Sequence, residues 1–281
     1  MLFCTACKWS PPYMNILLTN DDGINAEGIR LLAAAFSKKH NVFIVAPKFN
    51  KSGASSQMNV SVPLELKKVD KENCCLSYYL EGSPVDCVLS ALKGEYISEK
   101  IDVIVSGIND GPNIGTDIVY SGTCGAARQA CISGIPGIAL SIDSASKDES
   151  DKSGSLYFEN LADFACKNLD KLISLCGNLT ILDSMHKYYR NFVNVNAPAM
   201  KSYKGAKLTV PCIRRYWETL EISECENGCM TSKCGGDACV HSYGNDFADF
   251  KACEKGFISV SVVDTEPSYA DISSIKCDFN L

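Results

Sequence analysis

The chain has 281 residues, of which 46% are hydrophobic, 9% aromatic and 21% charged, with a formal net charge of −6. This composition excludes disordered and collagen-like classes, and the length allows a substantial core in one large domain or two unequal ones. With no run of like charge, a nucleic-acid-binding surface is not expected, and no apolar stretch approaches the roughly 18 residues of a membrane helix.

Met1 to Trp9 carries one lysine and no apolar core, so it does not read as a secretory signal. The 16 cysteines are therefore expected to be reduced, in a cytoplasmic protein. Cys87, Cys124, Cys131 and Cys166 fall in apolar-periodic segments, where a thiol acts as a small buried hydrophobe.

In chain order, residues 1–13 (MLFCTACKWSPPY) have no periodicity and read as a flexible extension. Translation could begin at Met1 or Met14, and Cys4-x-x-Cys7 reads as loose thiols. Asn15 to Thr19 is a strand-length apolar run, Ala26 to Lys38 has helical spacing, and Val42 to Ala46 is the next strand. This order predicts a right-handed crossover in a parallel sheet. Ser77 to Leu80 is a further strand. Ser83-Pro84 supplies an N-cap and a first-turn proline for a helix through Leu92. A strand over Ile101 to Val105, a helix over Gly122 to Ser133 and a strand over Gly137 to Ile142 complete the pattern. The fold class is α/β, an open, doubly wound, mostly parallel Rossmann-like sheet.

Ser144 to Gly154 reads as a linker into one long helix from Leu156 to Leu175, followed by a strand over Phe192 to Val195. Ala206 to Val210 and Tyr216 to Ile222 read as hairpin strands, Glu224 to Gly236 as a cysteine- and glycine-rich stretch, and Phe257 to Val263 as the last strand. The expected organisation is an α/β core over 14–200, a β-hairpin arm over 201–250, and a final strand and tail over 251–281.

In open α/β sheets, ligands bind beyond the carboxyl ends of the strands. Three loops there carry chemistry. In Asn20-Asp21-Asp22-Gly23, adjacent carboxylates repel unless a cation or hydrogen bonds offset the repulsion, so metal binding and a helix N-cap are both open readings. In Ala46 to Gln57 (APKFNKSGASSQ), Ser52 offers a hydroxyl and Gly53 permits close backbone approach. Lys48, Lys51 and Ser55-Ser56 could face an anion. The third loop, Ser106 to Gly115 and on to Tyr120-Ser121-Gly122-Thr123, ends at a helix N-terminus that favours phosphate, and Asn109 offers an amide oxygen.

T-N-D-D-G, A-P-x(4)-S-G-A-S, G-S-P-x-D-C, S-G-I-N-x-G-P-N-x-G and Y-S-G-T, in this order, resemble the SurE (survival protein E) family of metal-dependent nucleoside monophosphate phosphatases. The resemblance spans Met14 to Ile142 and resumes at FVNVNAP (Phe192 to Pro198) and GNDFADF (Gly244 to Phe250). It implies that Asp21, Asp22, Ser52 and Asn109 hold one divalent metal, with Asp21, Asp22 and Asn109 catalytic. Asn20, Ser52, Gly53, Gly107, Ser121, Gly122 and Thr123 would bind the substrate phosphate. Hard oxygen ligands favour Mg²⁺, Mn²⁺ or Ca²⁺ over zinc, with Mg²⁺ or Mn²⁺ the expected cation and no organic cofactor. Two departures, Lys48 where the family commonly has Asp and Phe49 where it has Arg, bear on substrate preference.

The implied activity is hydrolysis of nucleoside 5′-monophosphates, and of 3′-monophosphates as an extension, by a 5′-nucleotidase or acid phosphatase. The alternative is a catalytically weak nucleotide sensor or assembly protein of the same fold. A dinucleotide oxidoreductase lacks G-x-G-x-x-G after the first strand. The family's extended hairpin implies a homodimer or homotetramer through the C-terminal arm. Within that arm, Cys225, Cys229, Cys234, Cys239 and His241 lack paired C-x2-C spacing and read as reduced thiols rather than a zinc site.

Overall fold

The computed structural model describes residues 13–143, 157–183, 186–216, 219–224, 229–235, 238–242 and 246–267. The Cys4–Cys7 motif, the Ser144 to Gly154 linker, Cys225 and the tail from residue 268 lie outside them. β1 (Asn15–Thr19), α1 (Glu27–Phe36), β2 (Asn41–Pro47), β3 (Leu66–Lys68) and β4 (Leu76–Leu80) come first. They are followed by α2 (Pro84–Lys93), β5 (Val103–Asp110), α3 (Asp117–Tyr120), α4 (Gly122–Ile132) and β6 (Gly137–Asp143). Next are α5 (Phe158–Lys167), α6 (Leu169–Leu175), the short pair β7 (Leu179–Ile181) and β8 (Lys187–Tyr189), β9 (Asn191–Pro198) and β10 (Ala206–Thr209). The chain closes with β11 (Ile213–Tyr216), β12 (Thr219–Glu224), β13 (Met230–Gly235), β14 (Ala238–His241), α7 (Asp249–Glu254) and β15 (Ile258–Asp264).

Nine strands form the main sheet in the order β10-β15-β9-β6-β5-β1-β2-β4-β3. The six strands from β9 to β4 are mutually parallel. β3 joins one edge antiparallel to β4, and β15 lies antiparallel to β9. Parallel strands are buried on both faces and need apolar side chains on both. Leu17, Phe43, Val45 and Ile104 pack with Val88 of α2 and Ala126 and Ala130 of α4. Their neighbours Ile16, Leu18, Ile44, Val103 and Val105 pack with Ile29, Leu32 and Phe36 of α1. The chain leaves β1 for β2 on one side, while β5 pairs on the other, so the topological switch point lies between β1 and β5. No helix among the described residues is long and apolar enough to cross a membrane.

The α2 terminus also fixes the second loop. Ser83 Oγ accepts from Asp86 N (3.1 Å), while Asp86 Oδ2 accepts from Ser83 N (2.8 Å), a reciprocal capping box. The same carboxylate takes the Asn59 backbone N–H (2.9 Å) and side-chain amide (2.6 Å), and Ser83 Oγ donates to Gln57 O.

Four expectations are revised. The Leu156 to Leu175 helix is two, α5 and α6, because Asn168 leaves helical geometry and its Nδ2 donates back to Phe164 O (2.9 Å). β5 runs on from Val105 through Asp110, converting much of the third loop into strand. Ala206 to Val210 is not a hairpin strand, since β10 lies parallel to β15 in the main sheet. The hairpin partners are instead β11 with β14 and β12 with β13, which share one register, so Met230 to Gly235 of the cysteine-rich stretch is itself strand. Partner choice is non-local, and the Leu220 and Ile222 alternation of β12 marks a strand without saying which segment it pairs with.

Ser83→Ala should lower stability by about 1–2 kcal/mol, read as a shifted urea midpoint at unchanged denaturant dependence.

Candidate active site

Three loop segments meet at the switch point. In the first, Asn20 is fully buried, and its amide closes the loop on Gly23, donating to Gly23 O (2.9 Å) and accepting from Gly23 N (3.1 Å). This turn carries Asp21 towards the N-terminus of α4. Asp21 Oδ2 accepts from Thr123 N (3.1 Å) and Oδ1 from Thr123 Oγ1 (2.5 Å). Gly122 is required: a Cβ there would lie 2.9 Å from Asp21 Cβ. Ser121 Oγ accepts from Cys124 N (3.0 Å). The free N–H groups of the α4 terminus are thus occupied by a protein carboxylate and a cap. The helix dipole acts on Asp21 rather than directly on a phosphate.

The third segment is shaped by a bulge. Ser106 pairs with Ala139 and Asn109 with Ser141, so Gly107 and Ile108 together face Leu140. Gly107 has φ +129°, and a Cβ would lie 2.3 Å from Leu140 O, so only glycine fits. The bulge re-aims the strand end. Asn109 then donates its amide NH₂ to Gly111 O (2.8 Å), which orients the amide, and its Oδ1 makes no hydrogen bond among the described residues. The Asp110 backbone N donates to Asp22 Oδ2 (3.2 Å), joining the β1 and β5 ends.

Buried amides support this segment from β9. Asn196 Oδ1 accepts from Asn113 N (2.8 Å), and the side chains of Asn194 (2.8 Å) and Asn196 (3.1 Å) donate to Asn113 O. Asn113 Nδ2 reaches Ser141 Oγ (2.7 Å). Asp249, fully buried, accepts from the backbone N–H groups of Gly115 (2.7 Å), Cys212 (2.9 Å) and Phe250 (2.8 Å). It ties the loop to α7 and to the base of the arm.

The resulting cleft has a volume of about 260 Å³ and contains Asp21, Ser52, Gly53, Asn109 and Ser121 of the expected residues. Asn20, Gly107, Gly122 and Thr123 lie behind it as supports, and Asp22 joins through Asp110. Asp110, Pro112, Asn113, Asp117, Tyr120 and Tyr216 complete the lining. Most of these stand in the quoted motifs; Tyr216 gave no sequence signal. Lys48 does not face the cleft: its Nζ pairs with Glu65 (3.1 Å) and Glu81 (2.5 Å). Ser55 and Ser56 are tied as well, Ser55 Oγ donating to Val119 O (2.6 Å) and Ser56 accepting from Arg128 (3.3 Å).

Burial pushes the Asp21 carboxyl above its ordinary range, against the lowering effect of Thr123. Burial, then the charge of Asp21, lifts Asp22 to about 6. Burial also raises Asp117, outweighing its ion pair with Arg214 (2.8 Å) and its bond from Tyr216 OH (2.9 Å). No lysine or arginine stands among the described residues lining the cleft. Nor do three or more His, Cys, Asp or Glu side chains cluster for metal binding among them. The expected ligand set has only two such groups, completed by an alcohol and an amide oxygen. Adjacent carboxylates whose charge is disfavoured, beside an uncommitted amide oxygen, are a donor set that a hard divalent cation fits. In the arm, Cys239 Sγ and His241 Nε2 lie 3.5 Å apart and Cys229 is exposed.

Asp249→Asn keeps the side chain's shape but turns one acceptor into a donor facing a backbone N–H. It should destabilise the protein by about 2–3 kcal/mol, measured by chemical denaturation.

The family model for survival protein SurE matches residues 16–218. The 5′-nucleotidase SurE of Thermosipho melanesiensis is 33% identical over 252 residues, covering 89% of this chain and 91% of that relative. That of Actinobacillus succinogenes is 40% identical over 197 residues, 69% and 70% of the two chains. That of Clostridium beijerinckii is 49% identical over 142 residues, a match spanning 55% of that relative's length and 50% of this chain. The crystal structure of the SurE protein from Aquifex aeolicus superimposes with a TM-score of 0.69 at 28% identity, covering 92% of this chain and 96% of that one. With the motifs, the mostly parallel sheet and these matches in agreement, the chain belongs to the SurE family.

Proposed function

We propose that the protein hydrolyses nucleoside 5′-monophosphates, with 3′-monophosphates as further substrates, to nucleoside and phosphate. It is a hydrolase, a phosphoric monoester hydrolase of the 5′-nucleotidase type, as its relatives' names support. The observation that carries the reading is the Asp21 carboxylate held on the α4 terminus, opening into one cleft with Ser52 and the free oxygen of Asn109. An acidic cleft with no cationic side chain among its described lining residues repels a phosphate dianion. That supports one divalent cation, Mg²⁺ or Mn²⁺, held by Asp21, Asp22, Ser52 and Asn109.

When bound, such a cation supplies positive charge to the phosphoryl oxygens and lowers the pKa of water. The chain's own groups do the rest. Both oxygens of Asp21 are engaged by Thr123, so Asp21 is fixed in place. Asp22 keeps Oδ1 without a partner among the described residues and is the carboxylate able to orient the attacking water or take its proton. Ser52 and Gly53, on the exposed loop, face the phosphate.

The unpaired thiols, of which Cys87, Cys124 and Cys131 are buried, support a reducing, cytoplasmic location. Oligomerisation through the arm is supported by Leu220, Ile222 and Met230. All three are on one face of the β12–β13 ribbon and 58%, 60% and 70% exposed.

Phosphate release from adenosine 5′-monophosphate should vanish after chelation and return with added Mg²⁺ or Mn²⁺. Asp21→Asn and Asn109→Ala should each lower turnover by about 10²-fold or more while remaining folded by circular dichroism. Full activity in either variant would overturn this assignment of the site, and nucleotide binding without release in the wild type would replace the hydrolase with the sensor reading. Ile222→Asp should shift the protein to a smaller species in light scattering if the arm joins subunits.

A further inference from the structure

Two aromatic side chains in the cleft have no part in the hydrolytic chemistry. Tyr120 ends α3 immediately before Ser121 and is 63% exposed; Tyr216 stands on β11 and is 43% exposed. Both line the cleft that holds Asp21 and Asn109. Large apolar rings left in water at the rim of a polar cleft are available for a ligand with a flat apolar face.

Tyr216 is also held rigidly. Its hydroxyl donates to Asp117 Oδ1 (2.9 Å), and the Arg214 guanidinium lies 5.3 Å from its ring centroid. Arg214 Nη1 binds the other oxygen of Asp117 (2.8 Å), and the Arg214 backbone N and O both bond Thr116 Oγ1. Burial and the charge of Asp117 push the Tyr216 hydroxyl up to about 12, so it stays a donor and the ring stays in place. A ring fixed before binding loses little freedom when a ligand stacks on it.

The size of the cleft determines which part of a nucleotide meets the rings. Its volume of about 260 Å³ lies below the roughly 300–1,000 Å³ of pockets that enclose a whole ligand. With the phosphate at the Asp21 and Asn109 end, the remaining space suits a ribose, and a base must lie at the rim.

We infer that Tyr216, carried by the C-terminal arm, is a specificity-determining residue that seats the nucleobase by stacking, with Tyr120 as the second aromatic surface. This rests on the nucleotidase reading. Stacking reads the face of a ring and not its edge, so the seat accepts every base and favours the larger purines.

The test compares wild type, Tyr216→Ala and Tyr216→Phe, using adenosine 5′-monophosphate against ribose 5-phosphate, which carries the same phosphate and sugar without a base. Tyr216→Ala should lower the ratio of kcat/KM for the nucleotide over that for the sugar phosphate about tenfold, chiefly through KM. Tyr216→Phe, which keeps the ring and loses the bond to Asp117, should keep the wild-type ratio. An unchanged ratio in Tyr216→Ala, or a Tyr216→Phe that falls as far, would overturn the inference and leave Tyr216 as a support for Asp117. Calorimetry with adenosine alone separates this from the hydrolytic reading. Affinity should weaken about tenfold in Tyr216→Ala, and equal affinity in the two proteins overturns the base seat. Silence of the wild type on both phosphates, with adenosine binding that still depends on Tyr216, would overturn only the nucleotidase reading. If Tyr216→Ala does not fold, Tyr216→Leu replaces it and must show the same loss.

Discussion

The bond between Asp21 and the first turn of α4 is the constraint on which the site depends. A carboxylate that is 2% exposed is costly to ionise, and two donors from Thr123 offset part of that cost. The same bonds couple the end of β1 to a helix more than 100 residues later, across the switch point of the sheet. Gly122 makes the approach possible because any Cβ would collide with Asp21 itself. The α4 terminus therefore meets a side chain of the protein itself, and its dipole is expressed as the placement of Asp21.

The other walls follow the same plan, with a buried polar group answering a backbone that must turn. Asn113 is gripped by Asn194 and Asn196, and Gly115 and Cys212 converge on Asp249. Each of these groups is buried and partnered, which makes the loop rigid and makes loss of any one partner expensive. They also explain why the motif residues of β9 and α7 lie far from the β1 and β5 loops in the sequence yet serve the same cleft. The arm enters through Arg214 and Tyr216, which clamp Asp117, so the wall nearest the solvent belongs to the part of the chain read as an oligomerisation element.

Much of the frame was legible in the sequence. Apolar runs such as Ile16 to Leu18 and Val42 to Val45 are continuous because parallel strands are covered on both faces. The Ser83-Pro84 cap placed α2 to within a residue of its observed end. Asp21, Ser52, Asn109 and Ser121, singled out by the motifs that resemble the family, do line the cleft. Other features were hidden. Asn168 gave no warning that it would break a helix, since its effect depends on a bond back to Phe164. The cysteine-rich stretch concealed strand β13 because Met230 to Gly235 has no hydrophobic alternation to read. Lys48 looked available to an anion until Glu65 and Glu81, brought near by β3 and β4, occupied it.

The sequence by itself determined the fold class, the family and the donor types at the centre of the site, because periodicity, caps and short motifs are local properties of the chain. Only the tertiary structure decided which of those groups face the cleft and which stand behind it. Asn20, Gly107, Gly122 and Thr123 became supports and Tyr216 became a wall. Those roles depend on hydrogen bonds and close approaches between segments up to 134 residues apart, as between Gly115 and Asp249, and no local pattern encodes such a pairing.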